Sequence, residues 1–164
     1  MTTPTDEALE PGTVVVGFDR SADPRSAVAY ALGDAARRGV GLDAVTVYEP
    51  AEPWAWPHLG EPTHTGDPDT DEAAITRAAR DLITEVAGGL EPPLGPRMPE
   101  VTIHLRRGRA ADILVEVSRR AAVLVVSHDG RGPLTSAMLG SVGLHCVLHA
   151  ACPTTVVPPA IPST

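Results

Sequence analysis

The sequence predicts an α/β domain: an open five-stranded parallel sheet with helices on both faces. Five short apolar segments alternate along the chain with four segments whose apolar residues recur at helical spacing. Strands that alternate with helices pair in parallel, because each right-handed crossover returns the chain to the same edge of the sheet. Hydrophobic residues form 43% of the chain but aromatic residues only 3%. A core of Ala, Val, Leu and Ile between sheet and helices follows from this composition.

The first fifty residues contain three predicted elements. Residues 13–18 are an apolar, β-branched run behind a Pro-Gly turn, which is typical of a buried strand. Residues 24–38 place Ala, Val and Leu at helical spacing after an Asp-Pro start, and Gly39 supplies the stop signal of a helix. Residues 42–48 are the second predicted strand.

Residues 49–70 contain several Pro and acidic residues and show no sustained period of either kind. We therefore expect a mobile loop in this region. Its two aromatic residues, Trp54 and Trp56, are expected to be partly exposed with local packing, and a lid over a base or an interface patch is the alternative.

The remainder of the chain repeats the alternation of helices and strands. Asp71 and Glu72 favour the positive end of a helix dipole and therefore mark the start of the second helix. A Gly/Pro connection is expected over residues 88–99, and a loop of small residues over 127–136. The predicted elements are a helix over 71–86, a strand over 101–105, a helix over 110–120, a strand over 122–126, a helix over 141–149 and a strand over 154–157.

The length of 164 residues fits one domain with a core of its own. We assign the domain to residues 13–158, with a flexible segment at 1–12 and a tail at 159–164. No apolar run approaches the roughly 20 residues that cross a bilayer, and the first residues are acidic and polar rather than basic and then apolar. A soluble, cytoplasmic protein is therefore expected.

The charges exclude several classes of function. A net charge of −8 argues against a protein that neutralises nucleic-acid phosphates or anionic lipids. The cluster of Arg106, Arg107 and Arg109 is accordingly interpreted as a solvated face. All 13 basic residues are Arg, so the chain contains no P-loop, Schiff-base or kinase-type lysine.

The two cysteines, Cys146 and Cys152, are too few for a disulfide framework and do not form a Cys-x-x-Cys motif. We interpret them as reduced, partly buried thiols. A metal site that combines them with His145 and His149, which are spaced i, i+4, is the alternative. No carboxylate ligand for it is evident in the sequence, so no metal is assigned.

The stretch that follows the fourth strand carries the strongest functional signal. The predicted strand over 122–126 is continuously hydrophobic, and a Gly-containing loop that starts at Ser127 then leads into the helix that begins near Ser141. This geometry directs backbone N–H groups and a helix dipole at an anion. Ser141 would cap the helix and also offer its hydroxyl to a phosphate oxygen.

This loop resembles the nucleotide loop of ATP-binding universal stress proteins, in which two residues separate a first and second Gly, and nine residues separate the second from a Gly-Ser or Gly-Thr pair. Gly130, Gly140 and Ser141 match at the family spacing, whereas Ser127 occupies the position of the first glycine. The segments 14–21 and 147–157 are similar to the first strand and to the last helix and strand of the family. The resemblance implies an adenine nucleotide alpha hydrolase-like, Rossmann-like three-layer fold.

The resemblance also implies a nucleotide site for ATP. Asp19 would contact the ribose or the base, the backbone near Gly17 and Phe18 would border the adenine, and Val47 would line its pocket. Arg131 is our own addition, as a charge-assisted phosphate ligand. The residues expected around the ribose and phosphates are Val126, Ser127, Gly130, Gly140, Ser141 and Val142.

Two residues depart from the family pattern. Ser127 brings a Cβ to a glycine position, and Asp129 places within the loop a carboxylate that repels a triphosphate unless a divalent cation such as Mg²⁺ intervenes. These two residues favour the alternative function, a universal stress protein that binds no nucleotide and acts as a dimeric interaction protein. In either case the resemblance implies a homodimer through the last strand, Thr154 to Val157. Any ATP hydrolysis should be slow, because the sequence shows no evident general base, lysine or arginine-finger arrangement.

Overall fold

In the computed structural model, the described residues are 9–18, 24–48, 68–128 and 140–159. They form five strands and four α-helices, in the predicted order. The elements are β1 (Val14–Phe18), α1 (Arg25–Arg38), β2 (Leu42–Tyr48), α2 (Pro68–Gly88), a 3₁₀ turn (Gly95–Arg97), β3 (Val101–Arg107), α3 (Ala110–Ser118), β4 (Val123–Ser127), α4 (Ser141–His149) and β5 (Thr154–Val157).

The strands form one parallel sheet in the spatial order β3-β2-β1-β4-β5. The two ends of this order, β3 and β5, are the edge strands. Winding proceeds from β1 through β2 to β3 on one side and then crosses back to β4 and β5 on the other. The neighbours β1 and β4 therefore mark the point at which the winding reverses.

Successive side chains of each strand point to opposite faces of the sheet, and each face has its own apolar core. Val14, Val16 and Ala44 pack under α1 and α2 on one face. Val15, Val45 and Leu124 pack under α3 and α4 on the other. Leu9, which precedes the assigned domain, is also buried in this second core. The predicted three-layer architecture is thereby confirmed.

Helix α1 ends where the sequence predicts. Gly39 adopts a left-handed conformation with φ 67°, and its N–H bonds to the carbonyl of Ala35. A residue without a Cβ adopts this conformation at little cost, so glycine ends the helix here.

Several boundaries differ from the prediction. Helix α2 begins at Pro68 rather than at residue 71, which is consistent with the preset φ of proline in a first helical turn. Strand β3 continues to Arg107 because it pairs with β2 as far as Tyr48. Helix α3 ends at Ser118, whose hydroxyl donates to the carbonyl of Val115 and accepts from the N–H of Ala151.

Candidate functional site

The crevice at the carboxyl ends of β1 and β4 is the candidate functional site. The two strands are hydrogen-bonded neighbours, and Gly17 pairs in register with Val126. Beyond β1 the chain continues to α1 on one face, whereas beyond β4 it continues to α4 on the other. Because α1 and α4 cover opposite faces of the sheet, this strand edge is the place at which an open sheet of this kind holds ligands in a cleft.

Helix α4 contributes its amino-terminal end to this cleft. Gly140 is its N-cap residue, with φ −55° and ψ 156°, and its carbonyl accepts a hydrogen bond of 2.9 Å from the N–H of Leu144. Within the described ranges, no side chain caps this helix start. No residue in the described ranges thus offers these first N–H groups a side-chain partner, and such a helix start suits an anion.

The structure brings several predicted site residues to this edge of the sheet. Val47 and Val126 are buried at the ends of β2 and β4, on the face covered by α3 and α4, and Val142 is partly buried against the same core. Ser127 is half-buried as the last residue of β4, while Ser141 is exposed in the first turn of α4. The end of β4 and the start of α4 therefore each carry a serine hydroxyl.

The predicted ligands Asp19, Gly130 and Arg131 lie outside the described residues, as does Asp129. For Phe18, the structure describes the backbone as the last residue of β1. The roles of these residues remain predictions. Trp54 and Trp56 also fall in an undescribed range.

Packing within the protein leaves little space for a side chain at Gly17. A Cβ at this position would lie 2.7 Å from Cδ1 of Leu114, a buried residue of α3. That distance is far inside van der Waals contact, so a larger residue requires the Leu114 side chain or α3 to shift. The close approach of Leu114 to β1 is thus a reason for glycine at position 17 that involves no ligand.

A polar pair at the end of β2 was missed by the sequence reasoning. The Tyr48 hydroxyl donates a hydrogen bond to the carboxylate of Glu72 on α2. This hydrogen bond, together with burial and the negative charge of Glu72, raises the pKa of Tyr48, while Arg107 opposes the shift. The undescribed 49–67 segment separates the two residues in sequence, so no local pattern reveals their contact.

The alternative metal site is not preformed. His145 and His149 have ring centroids 4.4 Å apart, and His145 Nε2 lies 4.0 Å from Asp112 Oδ1 on α3. Cys146 is buried. In the part of the chain that the structure describes, no group of three or more His, Cys, Asp or Glu side chains is arranged to hold a metal ion.

The arginine cluster lies at the end of β3 and the start of α3. Arg109 forms a 3.5 Å ion pair with Asp112 one turn further along α3, and both side chains are largely exposed. This local pairing agrees with a solvated face. None of the described helices is both long and apolar enough to span a bilayer.

A parallel, doubly wound sheet whose winding reverses between β1 and β4 defines the class of Rossmann-like α/β domains. Comparison with known proteins narrows this class. The universal stress protein family model matches residues 11–158, so the chain belongs to the universal stress protein family.

Curated relatives agree with this family. A universal stress protein of Mycobacterium tuberculosis is 32% identical over 145 residues, which cover 88% of this chain and 47% of the relative. A universal stress protein of Mycolicibacterium smegmatis is 33% identical over 148 residues, which cover 89% of this chain and 45% of the relative. The chain thus spans about half the length of the curated relatives it matches.

Solved structures confirm the fold. A universal stress protein in complex with cAMP has a TM-score of 0.61 and 22% identity, covering 93% of this chain and 100% of the other. The universal stress protein of Archaeoglobus fulgidus in complex with dAMP has a TM-score of 0.54 and 21% identity, covering 91% of this chain and 99% of the other. These two relatives hold adenine nucleotides.

Proposed function

We propose that this chain is a nucleotide-binding module of stress response or signalling that binds ATP at the carboxyl ends of β1 and β4. The observation that carries the proposal is the start of α4 at Gly140, which no described side chain caps and which follows β4 at the point where the winding of the sheet reverses. Backbone N–H groups and the helix dipole favour phosphate at such a place. The complexes of two solved relatives with cAMP and dAMP support an adenine nucleotide as the ligand.

The proposed roles follow the resemblance to the family's nucleotide loop, together with Arg131 as our own addition. The adenine end is assigned to Gly17, Phe18, Asp19 and Val47, beside β1 and β2, with Asp19 on the ribose or base. The ribose and phosphate end lies beside β4 and α4. It is assigned to Val126, Ser127, Gly130, Arg131, Gly140, Ser141 and Val142. ATP would supply the polyphosphate charge, and Mg²⁺ would offset the repulsion from Asp129.

Binding rather than rapid turnover is the proposed activity. Ser127 and Ser141 provide hydroxyl groups, which donate and accept hydrogen bonds but are weak bases. The sequence contains no lysine that would neutralise charge on a transferring phosphoryl group. Any hydrolysis should therefore be slow.

Calorimetric titration with ATP and Mg²⁺ tests the proposal. The variant Ser141→Glu places a carboxylate at the start of α4, which suits the helix dipole but repels a triphosphate. We expect the wild type to bind and this variant to lose binding while its unfolding temperature stays the same or rises. Thr84→Glu, a substitution at an exposed position on α2, is the matched control and should bind like the wild type. A silent wild-type titration at millimolar ATP overturns the proposal.

Ser127 supports the second candidate function, a dimeric interaction protein without nucleotide. Ser127 ends β4 where the ATP-binding pattern has glycine, and Gly17 is already explained by its contact with Leu114. Ser127→Gly distinguishes the two candidates. If the serine weakens a nucleotide site, the substitution strengthens ATP binding in the same titration. If the site binds no nucleotide, the titration remains silent for both proteins.

A homodimer through β5 is part of the proposal for both candidates. Strand β5 lies at the edge of the sheet, with β4 as its described neighbour, so its outer backbone groups are available for pairing. Antiparallel pairing of two Thr154–Val157 strands around a two-fold axis would join the two sheets.

We assign the protein to the cytoplasm, where its two free thiols stay reduced.

A further inference from the structure

Helices α3 and α4 lie side by side on one face of the sheet and run in the same direction. Each returns from the carboxyl end of a strand, α3 after β3 and α4 after β4, and the two helices pack against each other. They also end together, because the hydroxyl of Ser118 accepts a hydrogen bond of 2.9 Å from the N–H of Ala151, just beyond α4. This contact joins residues that are 33 apart in sequence.

The same separation of 33 residues pairs acidic residues of α3 with histidines of α4. Oδ1 of Asp112 lies 4.0 Å from Nε2 of His145. One helical turn further along both helices, Glu116 and His149 have the same separation in sequence. The register of the two parallel helices therefore places Glu116 level with His149.

The four side chains start from the sides of α3 and α4 that face each other. Asp112 and Glu116 are spaced i, i+4, as are His145 and His149, so each pair lies on one side of its helix. The ring centroids of the two histidines are 4.4 Å apart, which places both imidazoles together. Because Asp112 approaches His145, these two sides meet between the helices. We call these four residues the α3–α4 cluster.

The donor atoms of the α3–α4 cluster suit a transition-metal ion. Two imidazole nitrogens and two carboxylate oxygens are ligands that Zn²⁺ takes in a tetrahedral arrangement, and the two carboxylates offset its charge. Asp112, Glu116 and His149 are exposed, so an ion can reach them from solvent. Arg109 pairs with Oδ2 of Asp112 at 3.5 Å and leaves Oδ1 towards His145. Such a charged partner orients a ligating carboxylate.

Metal binding requires these side chains to move only a short way. In the part of the chain that the structure describes, no three of them lie close enough together to hold an ion already. With Zn–N and Zn–O bonds of about 2.0–2.2 Å, two ligands of a tetrahedral ion lie about 3.3–3.6 Å apart. Nε2 of His145 and Oδ1 of Asp112, at 4.0 Å, are thus close to that spacing. Rotation about side-chain bonds supplies the remainder at these solvent-accessible positions.

We propose that the α3–α4 cluster is a Zn²⁺ site that joins the two helices. Asp112 and Glu116 supply the carboxylate ligands that the sequence alone did not reveal as neighbours of the two histidines. The site lies apart from the proposed ATP ligands and does not depend on them.

Calorimetric titration of the protein, free of any affinity tag and of nucleotide, with Zn²⁺ tests the site. The wild type should bind one ion per chain. Loss of a direct ligand should weaken binding at least about tenfold, since loss of an outer-shell partner already costs about 10–100-fold. The four variants to be compared are Asp112→Ala, Glu116→Ala, His145→Ala and His149→Ala.

Two variants and a second ion serve as controls. Asp81→Ala removes an exposed carboxylate of α2 and should bind Zn²⁺ like the wild type. Cys152→Ser should do the same, because the site uses no thiol. Mg²⁺ prefers an octahedral shell of oxygen ligands and should bind the wild type at least about tenfold more weakly than Zn²⁺.

Thermal unfolding provides an independent readout. Zn²⁺ that binds the folded helices should raise the unfolding temperature of the wild type but not that of His149→Ala. The proposal is overturned if the wild type shows no saturable Zn²⁺ binding, if any of the four variants binds as tightly as the wild type, or if Cys152→Ser abolishes binding. A silent ATP titration would overturn the nucleotide proposal and leave the Zn²⁺ titrations unchanged.

Discussion

His104 and Asp43 are buried side by side on neighbouring strands, with His104 Nε2 2.8 Å from Asp43 Oδ1. The other carboxylate oxygen of Asp43 accepts a hydrogen bond of 2.5 Å from the hydroxyl of Thr13. Three segments of the chain, before β1 and within β2 and β3, are joined by this one carboxylate. Nδ1 of His104 has no hydrogen-bond partner within the described ranges.

Asp43→Ala should therefore destabilise the fold strongly. Removal of the carboxylate leaves Nε2 of His104 without its buried partner, whereas the Thr13 hydroxyl still has the carbonyl of Glu10 at 3.1 Å as an acceptor. We expect a loss of about 1–3 kcal/mol in the free energy of unfolding, measured by urea denaturation.

Two further variants test whether this loss of stability comes from the buried hydrogen bonds of Asp43. Asp43→Asn retains an oxygen acceptor and should lose less than Asp43→Ala. Asp81→Ala, at an exposed position of α2, should change stability by no more than about 0.5 kcal/mol. Equal stability of Asp43→Ala and Asp81→Ala would show that the buried network contributes nothing.

Gly17→Ala should destabilise the protein by about 1–3 kcal/mol, because its Cβ overlaps with the side chain of Leu114. Leu114→Ala alone should cost about 2–5 kcal/mol through the cavity it leaves. The double variant should lose less than the sum of the two, since the new methyl group occupies space that the shorter side chain has vacated. Losses that simply add in a double-mutant cycle would contradict this steric account.

Cys146 and Cys152 should differ in reactivity. Burial, and to a lesser extent the neighbouring Cys152, raises the pKa of Cys146 to about 11. Burial also raises the pKa of the less deeply buried Cys152. Because the thiolate is the reactive form, Cys146 should resist alkylation at pH 8 until the protein is unfolded. Mass spectrometry after brief treatment with iodoacetamide, with and without urea, measures both sites; rapid native labelling of Cys146 would contradict the prediction.

The same shift sets a pH dependence with a defined sign. The folded state holds the Cys146 proton more tightly than the unfolded state, so its contribution to stability is fully present below the ordinary thiol pKa. That contribution is lost as the pH rises through about 11. Cys146→Ala should reduce this alkaline loss.

The order of the elements was predictable because the relevant signals are local. Residues 42–48, 141–149 and 154–157 coincide with β2, α4 and β5, and Gly39 ends α1 as predicted. Apolar runs, glycine and helical spacing each act within a few residues of sequence. The 3₁₀ turn at Gly95–Arg97 carried no such signal within its Gly/Pro connection.

Long-range contacts could not be predicted in this way. The Asp43–His104 pair depends on the register of β2 and β3, and the Gly17–Leu114 contact on the position of a helix over the sheet. The exposure of Leu148 could not be predicted from the sequence either. A sequence pattern shows which residues share a helix face, but it does not show whether that face is covered. At the site, the ends of β1 and β2 and the start of α4 agree with prediction, and β4 ends one residue later than predicted, at Ser127. The parts assigned to Asp19 and Gly130 remain predictions.

Tyr48 should titrate above its ordinary pKa. Its hydroxyl donates a hydrogen bond to the Glu72 carboxylate, which also repels the phenolate. Arg107 opposes this shift of the pKa less strongly. The chain has two tyrosines, so Tyr30→Phe leaves Tyr48 as the only one that titrates in the ultraviolet. In that background, Glu72→Gln should bring the midpoint back towards 10, because the negative charge is removed. The raised pKa also means that the contribution of Tyr48 to stability is present below pH 10 and is lost as the pH rises through the folded-state value. An unchanged midpoint in Glu72→Gln would show that Glu72 does not cause the shift.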